Sequence, residues 1–208
     1  MTVHGNLYVI SAPSGTGKTT LVKSVVDTLA HVTVSISHTT RAKRQGEMNG
    51  INYHFVDEAE FQHLIQSKDF LEYATIFHHH YGTSRRWVME TLAAGKDVIL
   101  EIDWQGYEQI KKLFPHTIGI FILPPSLHAL KERLMKREQN RPEIVAERLK
   151  DVNDTLSHLT EYHYIIINDD FQEASKELQI IITAGQLLQE RQVERHPKLI
   201  AELSRSFD

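Results

Sequence analysis

Two features of the chain predict an α/β fold, with a parallel sheet flanked by helices. Short, nearly continuous apolar runs alternate with segments of helical period, and the first run enters the first helix through a turn holding two glycines and a lysine. Runs that are apolar on both faces suit strands buried in a parallel sheet. Their alternation with helices implies right-handed crossovers.

The elements follow in order. Leu7 to Ala12 is short, apolar and β-rich. Lys18 to Ala30 carries Leu21, Val22, Val25, Val26 and Leu29, a helical stripe. Val32 to Ser37 alternates as a strand does. Asp57 to Ser67 reads as a short helix with Asp57 as its cap and Glu60 three residues on. Ser84 opens a helix that reaches Ala94 and stops at Gly95. Asp97 to Asp103, Thr117 to Leu123 and Tyr164 to Asn168 read as buried strands. Helices are expected at Gln105 to Leu113, Ser126 to Arg137, Pro142 to Leu159 and Phe171 to Arg191. The stretch from Ser37 to Tyr81, rich in polar and aromatic residues and punctuated by Gly46 and Gly50, breaks the rhythm; it is expected to be an insertion packed over the sheet edge. Met135 to Glu147, polar and charged, has the composition of a flap.

A chain of 208 residues corresponds to one domain, given about 150 residues per domain. With no cysteine there is neither a disulfide nor a thiolate metal site. A formal net charge of −4 argues against bulk nucleic-acid binding. No apolar run approaches the roughly 20 residues of a membrane span, and the first residues lack a signal-peptide pattern, so the expected location is the cytoplasm.

Ala12-Pro13-Ser14-Gly15-Thr16-Gly17-Lys18-Thr19 follows a strand and opens a helix, the setting a phosphate-binding P-loop needs. Backbone N–H groups at the helix start can wrap a phosphate, and glycines allow close approach. Lys18 is positioned in the motif to reach the β- and γ-phosphates, and the Thr19 hydroxyl to ligate Mg²⁺. Ala12 stands where the motif has its first glycine.

The chain resembles guanylate kinases from Ser11 through Thr20, and the resemblance continues through Val34 to Arg41, Arg44-Gln45-Gly46-Glu47 and Asn49-Gly50. It resumes at Tyr53 to Val56, Phe70-Leu71-Glu72, Tyr81 to Ser84, Asp103 to Gly106, Ile122 to Ser126 and Ile167 to Asp170. The resemblance implies one P-loop NTP hydrolase-like domain over residues 1–208. Its core would be 1–36 and 84–208, with a GMP-binding insertion at about 37–83 and a lid at about 135–147. It further implies the reaction ATP + GMP (or dGMP) → ADP + GDP with Mg²⁺, in purine nucleotide metabolism.

Carried onto this chain, the ATP side comprises residues 12–20 (Ala12, Pro13, Ser14, Gly15, Thr16, Gly17, Lys18, Thr19 and Thr20) with Asn168. The GMP phosphate falls to Arg41, Arg44, Tyr53 and Tyr81, which supply forked cations and hydroxyl donors for a dianion. The guanine falls to Ser37, Glu72, Thr83 and Asp103, since a carboxylate accepts from N1–H and N2–H₂. Lys18, Arg41, Arg133, Arg137 and Arg148 are the expected catalytic cations. Glu138 departs from the usual lid glycine, and Glu101 from a frequent aspartate. His78-His79-His80 invites a metal reading, but consecutive strand residues face alternate ways.

Two rivals stand beside this reading. An inactive guanylate-kinase-like interaction module would have lost Lys18 or the loop glycines, and a kinase for another small phosphate would lack the guanine-reading set. The tail stripe Leu199, Leu203 and Phe207 suits packing on the chain's own domain or on a second subunit, so a homo-oligomer is left open.

Overall fold

The structure, a computed structural model, describes residues 5–137 and 142–205. The chain begins with β1 (Leu7–Ser11), α1 (Lys18–Thr28), β2 (Val32–Val34), β3 (His38–Thr39), β4 (His54–Phe55) and α2 (Glu58–Gln66). Next come β5 (Phe70–Ile76), β6 (His79–Ser84), α3 (Arg85–Ala93), β7 (Asp97–Leu100), α4 (Trp104–Leu113) and β8 (Ile118–Leu123). Helices α5 (Leu127–Arg137) and α6 (Pro142–Ser157) precede a 3₁₀ turn at Leu159–Glu161. Strand β9 (Tyr164–Ile167) and helices α7 (Phe171–Gly185), α8 (Gln189–Arg195) and α9 (Pro197–Arg205) complete the order.

All five residues of β1 are buried, and the strand lies at the centre of a parallel sheet ordered β2-β7-β1-β8-β9. Its register runs Leu7↔Val98 to Val9↔Leu100 on one side and Tyr8↔Ile118 to Ser11↔Phe121 on the other. Alternation sends Tyr8 and Ile10 to one face, where Leu21, Val22 and Val25 of α1 and Leu178 and Ile182 of α7 cover them. Leu7 and Val9 go to the other face, against Val88 of α3 and Tyr107 and Ile110 of α4. Helices α5 and α6 share a smaller apolar cluster of Leu130, Leu134, Val145 and Val152.

The segment expected as a rhythm-breaking insertion carries a sheet of its own, ordered β4-β3-β6-β5. Of the run from Val32 to Ser37 only Val32–Val34 pairs in the main sheet; the chain then crosses over to begin β3. Phe61 of α2, Phe70 and His80 stack beneath the second sheet, with ring centroids 4.7 and 5.3 Å from Phe61. The histidine run divides: His78 lies in a turn, while His80 bonds Thr75 and pairs with Glu58 at 3.1 Å. No group of three potential metal ligands occurs among the described residues.

Hydrogen bonds to backbone groups help fasten the insertion to the core at two places. The Gln109 amide of α4 donates to the Tyr73 carbonyl at 2.8 Å and accepts from the Tyr73 N–H at 3.3 Å, as a neighbouring strand would. The Arg85 N–H donates to the Asp69 carbonyl at 2.8 Å.

The helix expected from Phe171 to Arg191 is two helices. Gly185 packs on Tyr8 so closely that a Cβ there would lie 1.9 Å from the phenol oxygen, and the chain turns immediately after it. The break brings Gln186 and Arg191 onto Asp97, a fully buried carboxylate that also accepts from the Asn6 N–H at 2.8 Å. No described helix is long and apolar enough to cross a membrane.

Removing one partner of a buried ion pair strands the other charge, at a cost of about 3–5 kcal/mol. Arg191→Met should therefore lower the thermal midpoint by roughly 6–20 °C. The double variant Asp97→Asn/Arg191→Met should regain part of that loss, which calorimetry on the three proteins will read.

Candidate active site

The phosphate loop is built by two left-handed glycines. Gly15 and Gly17 have φ of 92° and 93°, a region that side chains with a Cβ rarely occupy. Gly17 is the N-cap of α1 and provides no side-chain acceptor, so the first N–H groups of the helix face the loop hollow without a side-chain cap. The Thr16 N–H and hydroxyl both donate to the Pro13 carbonyl, at 3.3 and 3.0 Å, which closes the turn.

Neighbouring elements press on this loop. A Cβ on Gly15 would meet Leu134 of α5 at 2.9 Å, and one on Gly17 would meet the Asn168 amide nitrogen at 2.6 Å. The Asn168 amide donates to the Thr16 carbonyl at 2.6 Å; here its side chain braces the loop from behind. Arg133 donates to the Thr16 and Asn168 carbonyls at 3.3 and 3.1 Å. Arg148 donates to the Ser14 hydroxyl at 2.6 Å. The side chain of Arg137 and residues 138–141, which belong to the expected lid, lie outside the described residues.

The Thr19 hydroxyl donates to Glu101 at 2.8 Å. A hydroxyl and a carboxylate side by side at a phosphate loop form the hard oxygen donor set that Mg²⁺ prefers.

Across the hollow, Arg41 forks onto Glu47 at 2.7 and 3.0 Å and also donates to the Ala42 carbonyl at 2.8 Å. Its guanidinium carbon lies 5.3 Å from the centre of the Tyr53 ring, and Tyr53 meets Tyr81 edge to face at 5.9 Å. Burial followed by Tyr81 and Glu101 pushes the Tyr53 phenol up, which keeps it a neutral donor. Arg44 is exposed; its backbone N–H donates to Glu47 at 2.8 Å, closing the turn that presents Arg41.

The last cluster is acidic and dry. A β-bulge between Phe70 and Glu72 sets Glu72 opposite Thr83, and bulges of this kind re-aim side chains next to sites. Thr83 donates to the Glu72 carboxylate at 2.5 Å. The other Glu72 oxygen lies where a Cβ on Gly106 would be, only 2.5 Å away. Glu72 is 3% exposed, and no lysine or arginine among the described residues pairs with it. Burial raises its pKa to about 7, and the nearby Asp103 adds to the rise. Asp103 caps α4 through the Gly106 N–H at 3.0 Å. Burial pushes its carboxyl up as well, against the Gly106 N–H and the Lys18 charge, which hold it down. Ser37 is buried at the end of the segment leading into β3.

The structure thus gathers a phosphate loop, an arginine–tyrosine cluster and a buried carboxylate–hydroxyl pair. Sequence reasoning missed Glu47, Gly106 and the bulge. The Glu47 contact was within reach, because the acid stands six residues from Arg41 across a Gly46 turn; the other two depend on long-range packing.

Such a loop between the central strand and first helix of a parallel sheet defines a P-loop α/β nucleotide-binding protein. The family profile described as guanylate kinase matches residues 4–185. A guanylate kinase of Pseudomonas fluorescens (strain Pf0-1) is 53% identical over 199 residues, covering 96% of this chain and 97% of that protein. One from Coxiella burnetii is 49% identical over 198 residues, covering 95% and 96%. The crystal structure of guanylate kinase from Anaplasma phagocytophilum superposes with a TM-score of 0.76 at 32% identity, over 91% of this chain and 90% of that one. The chain belongs to the guanylate kinase family and is a nucleoside monophosphate kinase.

The Glu72 carboxyl has a consequence for stability. Its folded-state pKa of about 7 lies above the ordinary 4.5, so between these values the native state holds a proton that the unfolded chain has lost. The stability it contributes is complete below pH 4.5 and is lost as pH rises through 7. Glu72→Gln should therefore gain on the parent as pH rises, by up to about 3 kcal/mol at pH 8 and by almost nothing near pH 4.5. Urea titrations at the two pH values will check this.

Proposed function

We propose that this chain transfers the γ-phosphoryl group of ATP to GMP or dGMP, giving ADP and GDP, with the residues gathered above in the following roles. The observation that carries the base choice is Glu72, a buried carboxylate short of donors beside Asp103 and Thr83. Guanine brings N1–H and N2–H₂ as donors, which would hold Glu72 ionised, and its O6 accepts from hydroxyls such as Ser37 and Thr83. Adenine would set its N1 lone pair against the carboxylate, and that mismatch disfavours it.

Arg41, Arg44, Tyr53 and Tyr81 would bind the GMP phosphate. Three of the five Arg41 N–H groups are used in its bonds to Glu47 and Ala42, which fix the guanidinium plane and leave the others for a dianion. Residues 12–20 and Asn168 form the ATP side. The loop N–H groups and Lys18 stabilise charge on the β- and γ-phosphates. Arg133, Arg137 and Arg148 add positive charge where the phosphoryl group moves. Thr19, with Glu101 beside it, would hold Mg²⁺, which would neutralise charge on the phosphates.

The insertion at about 37–83 and the lid at about 135–147 would close over the two nucleotides and exclude water, which would otherwise accept the phosphoryl group. The setting is purine nucleotide metabolism in the cytoplasm, with no nucleic-acid or membrane partner; association into a homo-oligomer remains compatible with the exposed Leu199 and Leu203 of α9.

A coupled assay of ADP formation with GMP, AMP, UMP and dTMP tests the reading directly. GMP should be the acceptor by a wide margin, and no turnover with GMP would leave the binding-module alternative standing. Lys18→Ala should lower kcat on the order of 100-fold or more while circular dichroism stays native. A folded variant with near-parental kcat would overturn the role of Lys18.

Glu72→Gln keeps the shape but places an amide donor against the ring. A charge-assisted hydrogen bond contributes about 1.5–3 kcal/mol, so kcat/KM for GMP should fall about 10- to 150-fold. AMP should lose nothing, since its N1 can accept from the amide. An equal fall for both acceptors would show Glu72 to be structural.

A further inference from the structure

Strands β5 and β6 are joined by two residues, Phe77 and His78, both with positive φ, 48° and 65°. A two-residue hairpin loop with this backbone favours Asn-Gly, because a larger side chain at positive φ is crowded. Placing a phenylalanine there is locally unfavourable, and an unfavourable backbone position that is retained points to a use for the side chain.

The ring has a partner from the opposite side of the site. Phe77 is half-buried at a hairpin tip, and the Arg148 guanidinium carbon lies 5.7 Å from the ring centre. The same guanidinium donates to the Ser14 hydroxyl of the phosphate loop at 2.6 Å. One cation from α6 is therefore in contact both with the loop assigned to ATP and with the tip of the hairpin whose strands carry Glu72, Tyr81 and Thr83. A planar guanidinium on an aromatic face keeps its N–H edge available to anions while its tilt is restricted.

We propose that Phe77 is a positioning residue for phosphoryl transfer: its ring seats Arg148 against the phosphate loop, so the acceptor-side hairpin orients a donor-side cation. This rests on the reading of Arg148 given above. Among the described residues no ring or cation contact joins Phe77 to Arg41, Tyr53 or Tyr81, so its loss should spare the binding of both nucleotides and slow the chemical step.

The test is steady-state kinetics of the full chain with ATP and GMP, on the parent and on Phe77→Asn, Phe77→Tyr and Arg148→Met, with Phe77→Asn also made in the Arg148→Met background. Asparagine suits the left-handed turn, so Phe77→Asn should melt at or above the parent temperature. Its kcat should nevertheless fall about 3- to 10-fold, the range a guanidinium–ring contact supports, with both KM values within about twofold of the parent. Phe77→Tyr should restore kcat. With Arg148→Met already present, adding Phe77→Asn should change kcat by less than about 1.5-fold. Parental kcat in Phe77→Asn, or an equal loss in both backgrounds, would overturn the role of Phe77 while leaving the kinase reading intact. Absence of GMP-dependent turnover in the parent chain would overturn both.

Discussion

The position of β1 is the constraint on which the rest of this molecule depends. It is flanked in parallel by β7 and β8, so three strands deliver their carboxyl ends to one edge, where open α/β sheets place their ligands. From that edge emerge the phosphate loop after Ser11, Glu101 and Asp103 after β7, and Asn168 after the neighbouring β9. The Ser11 hydroxyl donates to the Ile102 carbonyl at 2.8 Å and ties two of these exits together. A burial pattern therefore becomes a site: the strand buried on both faces has to be central, and the loop that follows it has to meet the residues its neighbours present.

Charges around the hollow are held in two different ways. The cations rest on partners already in place, Arg41 on Glu47 and Arg133 on loop carbonyls, so their directions exist before any anion arrives. Such preorganisation removes reorganisation from the step that needs the charge. Glu72 is the reverse case. Among the described residues only Thr83, through its hydroxyl and its backbone N–H, stabilises a negative charge there, and the burial that weakens the protein above neutral pH would favour a donor-bearing base in the proposed role. The same side chain that weakens the fold above neutral pH would, in the proposed role, strengthen recognition, in accord with the tendency of perturbed groups to gather at functional sites.

What was legible in the sequence was local. The loop from Ala12 to Thr19 appears between strand and helix as expected, and Asp57 and Ser84 cap α2 and α3 through the Glu60 and Trp87 N–H groups. Arg41, Tyr53 and Tyr81 do come into contact, while the Arg44 side chain is exposed in the adjoining turn. What stayed hidden depends on contacts between distant residues. Nothing near Asp97 announces that Arg191 will reach it, and without that contact the stripe from Phe171 to Arg191 reads as one helix. Nothing near Phe70 announces the bulge that turns Glu72 inward, because register is settled by the partner strand. Gly106 looks like an ordinary helical glycine until a carboxylate is found occupying the space its side chain would need.

The pairing of Gln109 with both backbone groups of Tyr73 has a mechanical meaning. Tyr73 is the neighbour of Glu72, so the insertion is clamped to the core immediately beside the buried Glu72 carboxylate. A rotation of the insertion about that clamp would displace each part in proportion to its distance along the second sheet, towards the Gly46–Gly50 turn. Glu72 would then sit near the fulcrum while Arg41 and Arg44 would ride on the long arm. In the reaction proposed above, the base would then be inspected by a nearly stationary group, while the phosphate would be carried by the part that sweeps the farthest.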